Sequence, residues 1–221
     1  MRGRGRNTVA RTVALAGATG LVGREILRGL VADPSVEAIH VLGRRKLQAP
    51  PKVTSHAVDF RALPALARLD EVYLALDTTI KVAGGREAFR AVDFDANLAV
   101  ARAALSAGAR RGGLVSAMGA NAKSGIFYSR VKGELEDALT ALPFERLVIA
   151  RPSMLAGDRE SLGQPARRGE AIALAVSNLL GPLIPRNYRS VAAADVAKSL
   201  LMRVPVGRGR EIVVSGDMAA S

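Results

Sequence analysis

The segment Gly17-Ala-Thr-Gly20-Leu-Val-Gly23 constrains this chain more than any other. It follows a short apolar run, Thr12-Val-Ala-Leu-Ala16, and leads into Arg24-Glu-Ile-Leu27, where apolar positions recur with helical spacing. Three glycines at a strand-to-helix junction serve distinct physical ends. The first permits a tight turn, the second lets the backbone approach an anion with no side chain between, and the third lets helix and strand pack closely. The helix that follows points unpaired N–H groups and the positive end of its dipole at the same anion. Gly17, Thr19, Gly20, Leu21, Val22 and Gly23 are therefore candidate contacts for the pyrophosphate of a dinucleotide.

The rest of the chain supplies the context such a turn needs. Apolar runs predict strands over 12–16, 38–42, 53–58, 71–76, 113–116, 146–150 and 210–214. Between them, helical periodicity predicts helices over 21–31, 61–69, 86–107, 127–142, 166–180 and 193–202, with Pro34 and Gly108 as helix stops and Pro152 ending the sixth strand. Strands alternating with helices of this length imply right-handed crossovers, a parallel sheet and helices on both faces. The predicted class is α/β with a doubly wound sheet, in which ligands bind outside the carboxyl ends of the strands. We expect a basic tail over 1–11 and one domain over 12–221, with no linker or repeat dividing it. The stretch 151–189, holding Pro152, Pro165, Pro182 and Pro185, is the candidate substrate-covering segment.

Composition narrows the chemistry. There is no cysteine, so no disulfide, thiolate metal site or thiol nucleophile exists. With only His40 and His56, a histidine-rich metal site is not expected, and both read as structural. No apolar run approaches a membrane span. The net charge of +12 raises nucleic acid as a partner. Its distribution argues against it: Arg2, Arg4, Arg6 and Arg11 sit in a glycine-rich tail and the remaining excess is scattered. Five Phe, three Tyr and no Trp supply few stacking platforms. The tail is a poor secretion signal, which leaves the cytoplasm as the expected compartment.

The end of the second predicted strand chooses between dinucleotides. An acidic residue there would accept a hydrogen bond from a ribose 2′-hydroxyl. This chain has Gly43-Arg44-Arg45-Lys46 instead. Arg44 and Arg45 suit a 2′-phosphate, which a guanidinium can bind bidentately. The expected cofactor is NADP(H).

Tyr128-Ser-Arg-Val-Lys132 opens a predicted helix, and residues four apart share a face. An ammonium beside a phenol favours phenolate and lowers the tyrosine pKa, which makes Tyr128 a usable acid or base. Ser116, at the end of the fifth strand, is placed to hydrogen-bond a substrate carbonyl. With the glycine turn upstream, this Ser, Tyr, Lys set resembles that of the short-chain dehydrogenase/reductase superfamily. The spacing of Gly17, Gly20 and Gly23 matches its extended and atypical branches. Within the atypical branch the chain is most similar to the Tat-interacting-protein oxidoreductase group and its bacterial relatives. The segments VLGRRKL (41–47), VDF (58–60), LDTT (76–79), Val92-Asp93, SAMGANAKSGIFYSRVKGELE (116–136) and Arg151-Pro152 carry that resemblance.

The resemblance implies a Rossmann-type fold and further roles. Asp59 and Phe60 would border the adenine, although Asp59 reads equally well as the cap of the helix predicted from Arg61. Leu76, Asp77 and Thr78 would line the cofactor near its pyrophosphate and ribose. Lys132 would bond the nicotinamide ribose, and Pro152 would flank the nicotinamide. Asp77 stands where the resemblance implies glycine, and a carboxylate beside a pyrophosphate is unfavourable unless it turns away.

The reading that follows is hydride transfer between NADP(H) and a carbonyl or alcohol of a small molecule, with Ser116 polarising the oxygen, Tyr128 moving the proton and Lys132 supporting both. The rival from another class is an NADPH-binding regulator or scaffold with little turnover. Sugar-nucleotide epimerase chemistry uses the same trio, but only about 70 residues follow Ala150 to build a substrate domain. The Ala-rich stretch 86–107 could pair with itself in a homodimer or simply pack on the sheet. Arg159, Arg167, Arg168, Arg186 and Arg189 suit either an anionic substrate or solvent.

Overall fold

In the computed structural model, residues 10–48, 50–153, 155–156 and 190–218 are described. Seven parallel strands form one sheet: β1 (Arg11–Ala16), β2 (Val36–Gly43), β3 (Val53–Ala57), β4 (Glu71–Leu74), β5 (Arg111–Val115), β6 (Arg146–Arg151) and β9 (Gly209–Val214), in the order β3-β2-β1-β4-β5-β6-β9. A two-residue pair, β7 (Leu155–Ala156) with β8 (Val191–Ala192), lies apart from it. The expected α/β, doubly wound Rossmann-type architecture is the observed one.

Alternation along the strands produces two cores. Val13, Leu15, Ile39, Val41, Tyr73, Val148 and Ala150 face α1 (Leu21–Ala32) and α6 (Ala193–Arg203). Ala14, Ala16, Leu42, Val72, Leu74, Leu114, Leu147 and Ile149 face α4 (Asn97–Ser106) and α5 (Phe127–Thr140). Both faces of each central strand are therefore apolar, as burial on two sides requires. Strand order reverses between β1 and β4, which opens the cleft where a doubly wound sheet binds ligands.

At the opposite end of the sheet Arg11 reaches Asp33 at 2.6 Å and the fully buried Glu71 at 2.7 Å, and the Tyr73 hydroxyl donates to Glu71 at 3.2 Å. Arg11 thus belongs to β1 and not to the tail. His40 Nδ1 and His56 Nε2 meet at 3.0 Å on neighbouring strands, a structural contact as expected.

Two helices differ from expectation. Residues 61–69 form no helix. The Asp59 carboxylate accepts from the Arg61 amide at 3.0 Å and closes a local turn, and Pro64 removes a donor and holds Leu63 out of helical geometry. The stretch 86–107 is helical but not uniform: α3 (Arg86–Arg90) and α4 are joined by a π-helical segment, Ala91–Ala96. The short helices α2 (Ile80–Ala83) and α7 (Ser215–Met218) complete the described elements. Among the described residues no helix is long and apolar enough to cross a membrane. The tail over 1–9, the helix expected over 166–180 and most of the expected covering segment, including Arg159, Arg167, Arg168, Arg186 and Arg189, lie outside the described residues.

Candidate functional site

The glycine turn has the packing its sequence foretells. Gly17 adopts φ +90°, and a Cβ there would lie 2.2 Å from the Ala75 carbonyl oxygen. A Cβ on Gly23 would lie 2.0 Å from the Gly17 carbonyl oxygen, so α1 sits directly on the turn. Gly20 caps α1 with no side-chain hydrogen bond, leaving the first amides of the helix to another acceptor. This arrangement fits a diphosphate: a bare backbone cradle with donors at a helix start. Thr19 is exposed at its rim, and Leu21 and Val22 are buried beneath it.

The cationic stop after β2 is held at both ends. The Gly43 carbonyl accepts from the Val58 amide at 2.8 Å, and the Leu47 amide donates to Ser55 Oγ at 2.9 Å. Arg44, Arg45 and Lys46 project into solvent between these anchors. Asp59 is also exposed, and the Arg61 amide holds its carboxyl below the usual carboxylate range. It closes a turn and caps no helix. Phe60 packs partly against the second core.

At the other end of the cleft, the loop after β4 is nailed down by the π segment. The Thr78 amide donates to Asp93 Oδ2 at 3.1 Å, and Asn97 Nδ2 donates to the Leu76 and Asp93 carbonyls, both at 3.0 Å. These bonds consume both donors of Asn97 and leave its buried Oδ1 without a protein partner. π turns concentrate where side chains must be re-aimed for function, and this one carries Asp93, with Asn97 opening α4 directly after it.

Lys132 lies on α5 one turn after Tyr128 and is only 1% exposed. Its Nζ is 2.8 Å from Asp77 Oδ1 and 2.7 Å from Asp93 Oδ1, the latter an ion pair whose alignment falls short of a hydrogen bond. Burial acts to lower the lysine pKa, but the two carboxylates outweigh it and hold the ammonium charged. Burial raises the Asp93 pKa, and Asp77 adds to the rise against the pull of Lys132. The half-buried Tyr128 ring packs against Phe89 at 5.5 Å between centroids, with Lys132 Nζ 5.8 Å from its own centroid. Asp77, where glycine was expected, turns toward Lys132.

Ser116 does not stand ready for a carbonyl. Its hydroxyl donates to the buried Glu136 at 2.5 Å, and Glu136 is clamped by Arg151, whose Nε lies 3.0 Å from Oε1. The hydroxyl proton is committed to that carboxylate, contrary to the role expected of it. Pro152 is buried at the end of β6 and accepts from the Met118 amide at 2.8 Å.

Asp93, Asn97, Glu136 and Arg151 carry this end of the site, yet sequence reasoning assigned none of them a role. For Glu136 a signal existed: with Tyr128 and Lys132 it continues a single stripe at four-residue spacing. An acid amid the apolar positions of an Ala-rich helix was the signal for Asp93.

No family model matches the chain. It is 38% identical over 180 residues to "Protein fmp52, mitochondrial" of Emericella nidulans, covering 76% of each chain. It is 34% identical over 220 residues to "Protein FMP52, mitochondrial" of Candida albicans, covering 92% of this chain and 94% of the other. Among solved structures, MoeE5 in complex with UDP-glucose and NAD superposes with a TM-score of 0.66 at 16% identity, over 95% of this chain and 80% of that one. A short chain dehydrogenase family protein from Francisella tularensis gives 0.66 at 9% identity, over 96% of this chain and all of the other (100%). These two share the fold. The expectation of a cytoplasmic protein does not stand, because the relatives are named mitochondrial. Lack of a secretion signal does not separate cytoplasm from organelle. By sequence identity over most of its length, the chain belongs to the FMP52 protein family.

Proposed function

We propose that this protein is an NADP(H)-dependent oxidoreductase of the short-chain dehydrogenase/reductase kind, acting on a carbonyl or alcohol and similar to the Tat-interacting-protein oxidoreductases of that superfamily. Following its relatives, we place it in mitochondria. The observation that carries the reading is the junction of three elements. Lys132, one helical turn from Tyr128, reaches the loop after β4, and that loop abuts Gly17 of the phosphate cradle.

When bound, the dinucleotide supplies or accepts the hydride. The α1 amides hold its diphosphate, and Arg44 with Arg45 engages the 2′-phosphate. Lys132 donates to ribose hydroxyls, and Pro152 walls the cleft. The Tyr128 phenol gives its proton to the carbonyl oxygen in reduction and takes it back in oxidation. Ser116 with Glu136 and Arg151 ties β5 to α5 and β6, keeping the tyrosine helix in register with the cleft.

The test is Tyr128→Phe, assayed for NADPH consumption against a panel of aldehydes and ketones. Turnover should fall at least about a hundredfold, as loss of a general acid does, with NADPH affinity within about twofold. Undiminished turnover removes Tyr128 from the mechanism. The Ser116–Glu136 bond also favours a second reading, an NADPH sensor with little turnover, since the expected polarising hydroxyl is occupied. Tight NADPH binding by wild type without consumption on any carbonyl selects it.

A further inference from the structure

Ser116 directly follows β5, at the carboxyl end of the sheet where the cleft opens. Its amide donates to the Ala150 carbonyl and the Met118 amide to that of Pro152, both at 2.8 Å, so the end of β6 holds it in place. Glu136 takes the hydroxyl proton at 2.5 Å. Arg151 fixes that direction. Its Nε lies 3.0 and 3.1 Å from the two Glu136 oxygens and its Nη2 lies 2.5 Å from Oε2, and a carboxylate held by a guanidinium only accepts. Among the described residues this is the only hydrogen bond of the Ser116 side chain. A hydroxyl has one proton and two lone pairs, so what remains of Ser116 is an acceptor.

We infer that Glu136 is a positioning residue that sets the polarity of Ser116, and that Ser116 accepts a hydrogen bond from a substrate hydroxyl on the carbon beside the reacting carbonyl. The substrate class is an α-hydroxycarbonyl compound. The inference rests on the oxidoreductase reading above. Tyr128 gives its proton to the carbonyl oxygen, and Ser116 takes the neighbouring O–H. A plain ketone leaves the Ser116 lone pairs unpaired, which is costly for a residue only 5% exposed. A site that pairs a substrate hydroxyl rejects the analogue without it.

The test is NADPH consumption on two matched trios: hydroxyacetone, methoxyacetone and acetone, then phenacyl alcohol, its methyl ether and acetophenone. The ether keeps the electron withdrawal of the added oxygen without its proton, and the parent ketone removes its bulk. Wild type should favour the hydroxyketone over both by about tenfold or more in kcat/KM. Ser116→Ala should bring that ratio within about twofold of one, since the acceptor is gone. Glu136→Gln should reverse it. Arg151 has only donors, so it takes the amide oxygen and turns the amide N–H toward Ser116, whose own proton is then free for a carbonyl. A Glu136 with a structural role alone would lower all the rates together. Ser116→Ala leaves the Glu136–Arg151 pair whole and tests the inference should Glu136→Gln not fold. Wild-type turnover without a hydroxyl preference overturns the inference alone, as does a preference that both variants keep. No turnover on any of the six probes overturns the oxidoreductase reading and the inference with it.

Discussion

At the β2 end of the cleft Arg44, Arg45 and Lys46 stand in solvent, whereas at the α5 end Lys132 is sealed between Asp77 and Asp93, and Glu136 between Ser116 and Arg151. The exposed cations are presented by a turn whose anchors, Gly43 to Val58 and Leu47 to Ser55, do not involve them. Their charge is available to a ligand and contributes little to the fold. The buried charges are part of the fold, because each desolvated group depends on its partner. One end should therefore respond to substitution through affinity and the other through stability.

The largest expected effect is at the buried end. Lys132→Met would leave Asp93 enclosed without its cation, and breaking such a pair costs about 3–5 kcal/mol. The loss should shrink in acid. The folded pKa of Asp93 is already raised by burial, so the proton binds the folded state more tightly, and stability is retained at low pH and lost as pH rises through that pKa. Urea unfolding of the variant at several pH values checks both size and slope; a loss that grows toward acid would contradict the burial argument.

Gly23→Ala comes next. Its Cβ would meet the Gly17 carbonyl oxygen at 2.0 Å, forcing α1 off the turn. Overpacking of this kind costs about 1–3 kcal/mol, and dinucleotide binding should vanish with it. A variant that still binds NADPH at wild-type affinity would separate the cradle from the ligand.

The double substitution Arg44→Ala, Arg45→Ala sharpens the contrast from the other side. Thermal stability should hold within about 0.5 kcal/mol, as at exposed positions generally. The preference for NADPH over NADH should fall by about tenfold or more, since bonds between charged groups are lost. Destabilisation with the preference intact would invert the comparison.

The smallest effect lies at the β2–β3 edge. Burial, and then His56, lower the His40 pKa. A histidine with a depressed folded pKa contributes stability that is present above the unfolded value, about 6.5, and is lost as pH falls. His40→Gln should flatten the stability profile below that pH. An unchanged profile would assign the acid sensitivity elsewhere.

Local geometry was legible in the sequence and long-range pairing was not. The glycine turn, the cationic stop after β2 and the Tyr128–Lys132 spacing each fall within a few residues, so their meaning travels with the segment. The alternation of apolar runs likewise foretold the doubly wound sheet. The pairings that decide what Lys132 and Ser116 do join residues 55 and 20 positions apart, to Asp77 and Glu136. No spacing rule reaches across those separations. The π segment escaped notice because an extra residue in one turn leaves the Ala-rich pattern of 86–107 nearly unchanged. The helix expected over 61–69 is absent for a local reason: Pro64 and an Asp59 turn outcompete a short, weakly periodic stretch.

Titration of the full chain with NADPH and with NADH, followed by the fluorescence of the bound reduced nicotinamide, tests whether the cleft binds a dinucleotide. Saturable NADPH binding is expected, with NADH weaker by about tenfold or more, from the glycine cradle and the Arg44–Arg45 pair acting together. Absence of binding by either dinucleotide would contradict it, reducing the cradle to a structural turn.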